Sequence, residues 1–333
     1  MAKKVLVLTS GGLDSLLTLR IMERAGLDVI GVHFLTWFNI PKYTLLKDYT
    51  QGEHFFYGFR VLFVDLSQEF MNILLAPRYG YGKGANPCID CKILFFSRAR
   101  ALKESFRADF VATGEVVGQR PMSQKKGTMR LIERESGLEG FLLRPLSAKL
   151  LRPTIPEEQG WVHRKELYGI SGRSRNTQRA LAKEFGIEEY PKPAGGCILT
   201  EKQFCVRFKD LVDHSSEISI PCLVTLRYGR HFRLSDSSKL VIGRNQKENE
   251  TLRRIQWGNV RIEPLSHPGP FSLLQWKGEK GVMKKALFIV ARYADYPGPP
   301  ECMKTMVVIQ KRKKTVCYRA TPAEALSQLT IVH

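Results

Sequence analysis

The chain has 333 residues, 52 Lys and Arg against 32 Asp and Glu for a net charge of +20, and seven cysteines. At roughly 150 residues per domain this length holds two or three domains with cores of their own, which excludes a disulfide-stapled mini-protein. Hydrophobic residues at 43% and charged residues at 25% are those of an ordinary folded protein and argue against global disorder.

The first 115 residues alternate strand and helix signals. Met1-Ala2-Lys3-Lys4 leads into Val5–Thr9, an apolar run too short for a signal segment before Ser10-Gly11-Gly12 interrupts it. No run of about 18 apolar residues follows, so the expectation is a cytoplasmic protein with no membrane partner. In a reducing compartment an odd cysteine count points to thiols, a metal site or catalysis rather than a disulfide framework. Leu13–Ala25 has the apolar spacing of a helix closed by Gly26, and Val29–Leu35, Arg60–Val64 and Phe110–Thr113 read as further strands. Helices are expected over Gln68–Leu75 and Cys88–Phe106. This alternation predicts an α/β domain with a doubly wound parallel sheet, whose ligands sit at the carboxyl ends of the strands.

Helices are expected next at Thr177–Phe185 and Thr200–Leu211, with the loop Pro191-Lys192-Pro193-Ala194-Gly195-Gly196 delivering Cys197. After Ser215 the pattern changes to short β-like runs, Leu223–Leu226, Leu240–Ile242, Ala286–Ala291 and Thr305–Ile309, with helices near Asn245–Ile255 and at the C-terminus. The domains expected are therefore 1–214 and 215–333, the second α+β or β-rich. Net charge is +4 over residues 1–120, +5 over 121–216 and +11 over 217–333. A basic domain joined to a more balanced one suggests a polyanionic partner, because Lys and Arg that neutralise phosphates release counterions.

Ser10-Gly11-Gly12-Leu13-Asp14-Ser15 lies between the first strand and the first helix. Paired glycines let backbone approach an anion, the two serines add hydroxyls, and the helix aims its amino-terminal amides at the same place. That is a pyrophosphate site. Asp14 beside a polyphosphate is assigned either to Mg²⁺ or to helix capping. The segment lacks the Lys of a Walker A loop and the spacing of a dinucleotide fingerprint. It resembles the SGGxDS signature of the PP-loop ATP pyrophosphatase superfamily, which implies an adenine nucleotide α-hydrolase-like fold. It also implies adenylation of a carbonyl oxygen by ATP with release of pyrophosphate.

Asn86-Pro87-Cys88-Ile89-Asp90-Cys91-Lys92 places two thiols at a helix N-terminus, where thiolate is favoured, and Cys197 follows Gly195-Gly196 far along the chain. Three thiolates fall short of a four-ligand zinc site but suit a four-iron cluster with one open iron. Asn86–Lys92 is similar to the Asn-Pro-x-x-x-Cys segment of tRNA 2-thiouridylases, with Cys91 at the first catalytic cysteine, and Gly196–Lys202 resembles the segment around the second. Thr113–Gln119 and Leu142–Leu146 resemble tRNA 4-thiouridine synthetases more, which places Gly114 and Glu115 near the nucleotide. Neither the THUMP nor the rhodanese domain of many such synthetases is present. Cys88 is an added cysteine relative to the two-cysteine pattern and resembles the third cysteine of iron–sulfur tRNA thiolases. Of two routes, the cluster is the expected one. A persulfide on Cys197 is resolved through Cys91 as a disulfide, or a 4Fe-4S cluster on Cys88, Cys91 and Cys197 binds hydrosulfide at its open iron. Cys205 is read as a core residue or a fourth ligand, and Cys222, Cys302 and Cys317 as structural.

In the last third, Tyr228-Gly229-Arg230-His231-Phe232-Arg233-Leu234 and Val241-Ile242-Gly243-Arg244-Asn245 look like the NFACT-type RNA-binding domain pattern. Alternating Arg and aromatic residues suit phosphates and unpaired bases. Arg230, Arg233, Arg244, Lys284 and Lys285 are the expected RNA contacts, while Lys311–Lys314 is either part of the footprint or a protective strand edge. The resemblances imply a tRNA sulfurtransferase using ATP and Mg²⁺, with tRNA and a sulfur donor, hydrosulfide or a cysteine desulfurase or carrier, as partners. The product is 2-thio- or 4-thiouridine. The rivals are another PP-loop ligase that uses ammonia and a non-catalytic RNA-binding protein.

Overall fold

Val5, Leu6 and Val7 have no exposed side chain, and their alternation sends Val5 and Val7 to one core and Leu6 to another. A strand apolar on both sides belongs in the middle of a two-faced sheet. The computed structural model of the protein describes residues 2–49, 51–191, 196–295, 302–309, 312–318 and 330–332.

The first unit follows the expected alternation. Its elements are β1 (Lys4–Leu8), α1 (Leu13–Arg24), β2 (Asp28–Leu35), β3 (Gly52–Phe56), β4 (Phe59–Asp65), α2 (Ser67–Leu75), α3 (Cys88–Ser105), β5 (Phe110–Thr113), α4 (Lys126–Ser136), β6 (Leu142–Leu143), α5 (Ile155–Glu158) and α6 (Asn176–Glu184). The sheet order is β3-β4-β2-β1-β5-β6. All neighbours are parallel except β3, which turns back on β4 as an antiparallel edge hairpin. Helix α1 packs with α6 over one face, around Leu13, Leu16, Leu17 and Leu181, while α3 covers the other through Phe96 and Ala99. The doubly wound α/β sheet expected from the sequence is thus present, and β1 ends at the loop Ser10–Gly12 with α1 leading away from it. The expected loop before Cys197 lies in part, at 192–195, outside the described residues.

The second unit comprises α7 (Lys202–His214), α8 (Ile220–Thr225), β7 (Arg230–Arg233), β8 (Lys239–Ile242), α9 (Gln246–Arg254), β9 (Val260–Pro264), β10 (Ser272–Gln275), α10 (Val282–Arg292), β11 (Met303–Ile309), β12 (Arg312–Tyr318) and β13 (Thr330–Val332). Its antiparallel sheet has the order β12-β11-β9-β10-β8-β7-β13. Two segments expected as strands are helices. Leu223–Leu226 falls in and beside α8, where burial of Cys222, Leu223, Val224 and Thr225 overrides β-branched propensity. Ala286–Ala291 is the apolar face of α10: Val282, Ala286, Ile289 and Val290 are buried while Lys284 and Lys285 are exposed. The six-residue window hid a helical period that eleven residues display. The C-terminal helix expected from the sequence falls on residues that are largely outside those described.

The units divide as Met1–Asn39 with Leu46–Cys197, and Ile40–Leu45 with Ile198–His333. The break therefore falls before α7 rather than near residue 215. The buried Arg207 guanidinium on α7 donates to Leu226 O and Gly229 O, each at 2.9 Å, and Asp210 of α7 binds Arg233 and Lys239. Arg227 and Tyr228 likewise hold Ile40 O (2.9 Å) and Tyr43 N (3.2 Å). Cys302 and Cys317 are joined as a disulfide with Cα atoms 5.7 Å apart. This departs from the expectation of thiols, because the β11–β12 pairing brings their backbones together. Among the described residues no helix is long and apolar enough to cross a membrane.

Arg207→Met removes the donors of two buried carbonyls and is expected to cost about 2–4 kcal/mol, the range for losing charged hydrogen bonds in a buried site. The measurement is chemical denaturation followed by circular dichroism, and an unchanged midpoint would contradict this role.

Candidate active site

The loop after β1 is held by its own hydroxyls. Thr9 Oγ1 donates to Ser15 Oγ at 3.1 Å and accepts from Gly11 N at 3.2 Å. The buried Ser15 hydroxyl donates to Gly12 O at 2.7 Å and accepts from Ser10 N at 3.3 Å. Ser15 therefore shapes the loop, with Thr9 as a partner that the hexapeptide alone did not disclose. Ser10 is exposed, and Gly11 has φ +74°, a conformation open to glycine. Ser15 N and Leu16 N donate to Gly12 O at 3.0 and 3.1 Å, which leaves the Leu13 and Asp14 amides as those a helix start offers to an anion.

Gly114, just past β5, is pressed against this loop. A Cβ there would lie 2.5 Å from Asp14 O and 2.8 Å from Ser15 N. Its neighbour Glu115 is buried and ion-paired to Lys92 at 3.1 Å and Arg144 at 3.0 Å, and Arg144 also pairs with Glu133. Burial pushes the Glu115 carboxyl up, but the Lys92 and Arg144 charges outweigh it and hold it below the usual range. Lys92 and Arg144 stand in the motifs that carry the family resemblance, yet their shared partner is visible only in three dimensions.

Asp14 does not cap α1, whose N-cap, Gly12, has no side-chain bond. Its Oδ2 accepts from Gln119 Nε2 at 3.1 Å and faces Arg175 at 3.8 Å, while the buried Oδ1 has no hydrogen-bond partner among the described residues. An orphaned carboxylate oxygen beside a phosphate loop fits a Mg²⁺ ligand.

On α3, Asp90 accepts from Arg78 N at 3.0 Å and Tyr79 N at 3.1 Å, fixing the loop that precedes the two thiols. Cys88, Cys91 and Cys197 are all half-buried. The expected stabilisation of thiolate is not what the site delivers: burial pushes Cys88 up despite Asn86, and Cys91 up to about 12 despite Lys92. Removing a thiolate from water costs more here than the adjacent cation returns. Cys197 and Cys88 both lie close enough to Cys91 to raise it further. Among the described residues, however, no three Cys, His, Asp or Glu side chains gather around one point as metal ligands. This gives no support to the expected 4Fe-4S cluster. Cys205 lies on α7 with its Sγ donating to Leu199 O at 3.3 Å.

The five expected RNA contacts have different surroundings. Arg233 forms a two-pronged pair with Asp210 at 3.0 and 2.7 Å. Arg244 clasps Glu248 at 2.6 Å, and Arg230 lies 4.6 Å over the Tyr293 ring. Lys284 and Lys285 are exposed on α10.

Residues 3–155 match the family model described as the tRNA methyl transferase HUP domain. Residues 229–328 match the NFACT protein RNA binding domain. The tRNA-specific 2-thiouridylase of Listeria monocytogenes is 24% identical over 212 residues, covering 60% of this chain and 54% of that protein. The probable mitochondrial tRNA-specific 2-thiouridylase 1 of Caenorhabditis elegans is 24% identical over 236 residues, 64% and 59% of the two chains. The Sulfurimonas denitrificans 2-thiouridylase is 30% identical over 121 residues, 35% and 36%. The chain thus spans little more than half the length of the first two relatives. The phosphate loop, Gly114, Glu115 and the Cys88–Cys91 pair all fall inside the segment matched by that family model, whereas Cys197 lies beyond it.

Two substitutions test this geometry. Gly114→Ala should abolish ATP binding in a titration, because its Cβ meets backbone rather than a movable side chain. Glu115→Gln leaves two cations buried without their carboxylate and should cost about 3–5 kcal/mol of stability. The group's folded-state value is depressed, so the difference from wild type is full above the unfolded value near 4.5 and narrows as pH falls through the folded value. Denaturant midpoints at neutral and acid pH measure it, and a gap that widens in acid would contradict the assignment.

Proposed function

We propose that this chain is an ATP-dependent tRNA uridine thiolase. The observation that carries this reading is the dipeptide Gly114-Glu115, which touches both halves of the chemistry. Gly114 seats against the phosphate loop at Asp14, and Glu115 binds Lys92, next to Cys91. An adenylating loop and a thiol pair tied through two consecutive residues suit activation of a carbonyl followed by attack of sulfur.

In the first step a uracil carbonyl oxygen attacks the α-phosphorus of ATP, the bond to the β-phosphate oxygen breaks, and pyrophosphate departs. The loop amides and Ser10 bind phosphate oxygens, and Asp14 would hold Mg²⁺, which neutralises charge on the leaving group when bound. The uracil oxygen, a poor leaving group by itself, now departs with AMP. The 2-thiouridylase relatives favour the 2-carbonyl as the target.

The 2-thiouridylase relatives, whose motif carries two cysteines, and the lack of a three-ligand metal group among the described residues support the two-cysteine route. A sulfane-sulfur donor of the cysteine desulfurase or carrier type loads Cys197 as a persulfide. Its terminal sulfur attacks the activated carbon and AMP leaves. Cys91 Sγ then attacks Cys197 Sγ, breaking the bond to the transferred sulfur and giving thiouridine and a Cys91–Cys197 disulfide. The two electrons lost by the thiol pair are restored by an external dithiol. The basic second unit, which matches an RNA binding domain, supplies affinity for tRNA.

In cells lacking the native enzyme, Cys91→Ala and Cys197→Ala should fail to restore thiolated uridine in nucleoside mass spectrometry, whereas Cys88→Ala should restore most of it. Protein purified without oxygen should be active without stoichiometric iron. Brown protein whose activity requires all three cysteines would overturn the persulfide route. Pyrophosphate release that tRNA does not stimulate would favour the ammonia-using ligase, and failure to bind ATP would favour a non-catalytic RNA-binding protein.

A further inference from the structure

The positive charge of the second unit has to be located before it can be given a partner. Arg233, Arg244 and Lys239 are consumed by Asp210 and Glu248 inside the unit. The cations left for a polyanion lie elsewhere, and one group of them is fixed by strand register.

Helix α10 and the core cover one face of β9, β11 and β12, where Val260, Ile262, Met303, Val307 and Tyr318 are buried. Alternation along a strand sends the intervening residues to the opposite face. Those residues include Arg261, Lys304 and Lys313, all exposed. Val308 of β11 is paired with Arg261 on one side and Lys313 on the other, so these two cations stand abreast across two strand spacings, about 10 Å apart at the backbone. Lys304 lies four residues from Val308 on the same strand, about 14 Å along. Among the described residues none of the three pairs with a carboxylate. Glu263, the acid on that face, is already paired with Arg253. Arg312 and Lys314 add exposed charge at the edge.

We propose that the open face of β9, β11 and β12 is the surface on which this protein binds the RNA backbone, with Arg261, Lys304 and Lys313 as phosphate contacts. This rests on the reading of the chain as a tRNA-binding enzyme. The sheet holds the three cations at set separations, and among the described residues the acid on this face, Glu263, is already paired with Arg253. Lys284 and Lys285, by contrast, are consecutive on a helix and project about 100° apart. Valine and methionine between the cations offer no hydrogen bonds to bases, so the surface reads charge and spacing rather than sequence.

The experiment is a fluorescence-anisotropy titration of labelled tRNA transcript with the full chain at 50 and 200 mM salt. Three phosphate contacts at a slope of roughly 0.7–0.9 each make wild-type affinity fall about 20–40-fold more over that range than the affinity of the triple variant Arg261→Gln, Lys304→Gln, Lys313→Gln. Arg261→Lys should keep the wild-type slope, as should the pair Lys284→Gln, Lys285→Gln. Circular dichroism of the triple variant should match wild type, since all three positions are exposed. A triple variant that binds with the wild-type slope overturns the inference, as does a slope lost only in the α10 pair. A wild-type chain that does not bind tRNA at all overturns the functional reading beneath it.

Discussion

A carboxylate with 3% of its surface exposed stays charged only if cations stand against it, and Glu115 has Lys92 from α3 and Arg144 from beyond β6. This buried ion set is the constraint on which the first unit turns. Lys92 fixes the first turn of the thiol-bearing helix, Arg144 draws in α4 through Glu133, and Gly114 brings the same turn down onto the phosphate loop. Replacing the set with apolar groups would preserve stability at least as well. What the charged set adds is register: the carboxylate accepts both cations in one arrangement, and that arrangement puts the phosphate loop and the cysteines at the same end of the sheet.

The thiols show burial overriding a local rule. A helix N-terminus and an adjacent lysine both favour thiolate, but the surroundings of Cys91 hold it as a thiol. A protonated thiol of this kind is less prone to adventitious oxidation than a thiolate. The edge hairpin reaches the loop after β1 instead. Its Phe56 ring lies 3.5 Å from where a Gly11 Cβ would stand, and Phe55 beside it is 84% exposed.

In the second unit the net charge overstates what a partner meets. Arg233, Lys239 and Arg244 count towards the +11 of the last third, yet they compensate Asp210 and Glu248. Burial lowers Lys239 to about 8 even with Asp210 against it. A charge count cannot separate such internal pairs from a solvated surface, because both use the same residues.

The sequence by itself determined the α/β alternation of the first unit, the glycine-rich loop between β1 and α1, and the candidate cysteines, because these depend on local periodicity and on backbone conformations that few residues adopt. It placed β8, β11 and α9 correctly for the same reason. Tertiary structure decided what depends on partners distant in the chain. It made helices of Leu223–Leu226 and Ala286–Ala291 by burying them, and moved α7 into the second unit through Arg207 and Asp210. It turned Asp14 from a possible cap into a carboxylate with a vacant oxygen and joined Cys302 to Cys317. Three cysteines in a sequence carry no information about where their sulfurs lie, and only the fold sets Cys88 and Cys197 beside Cys91.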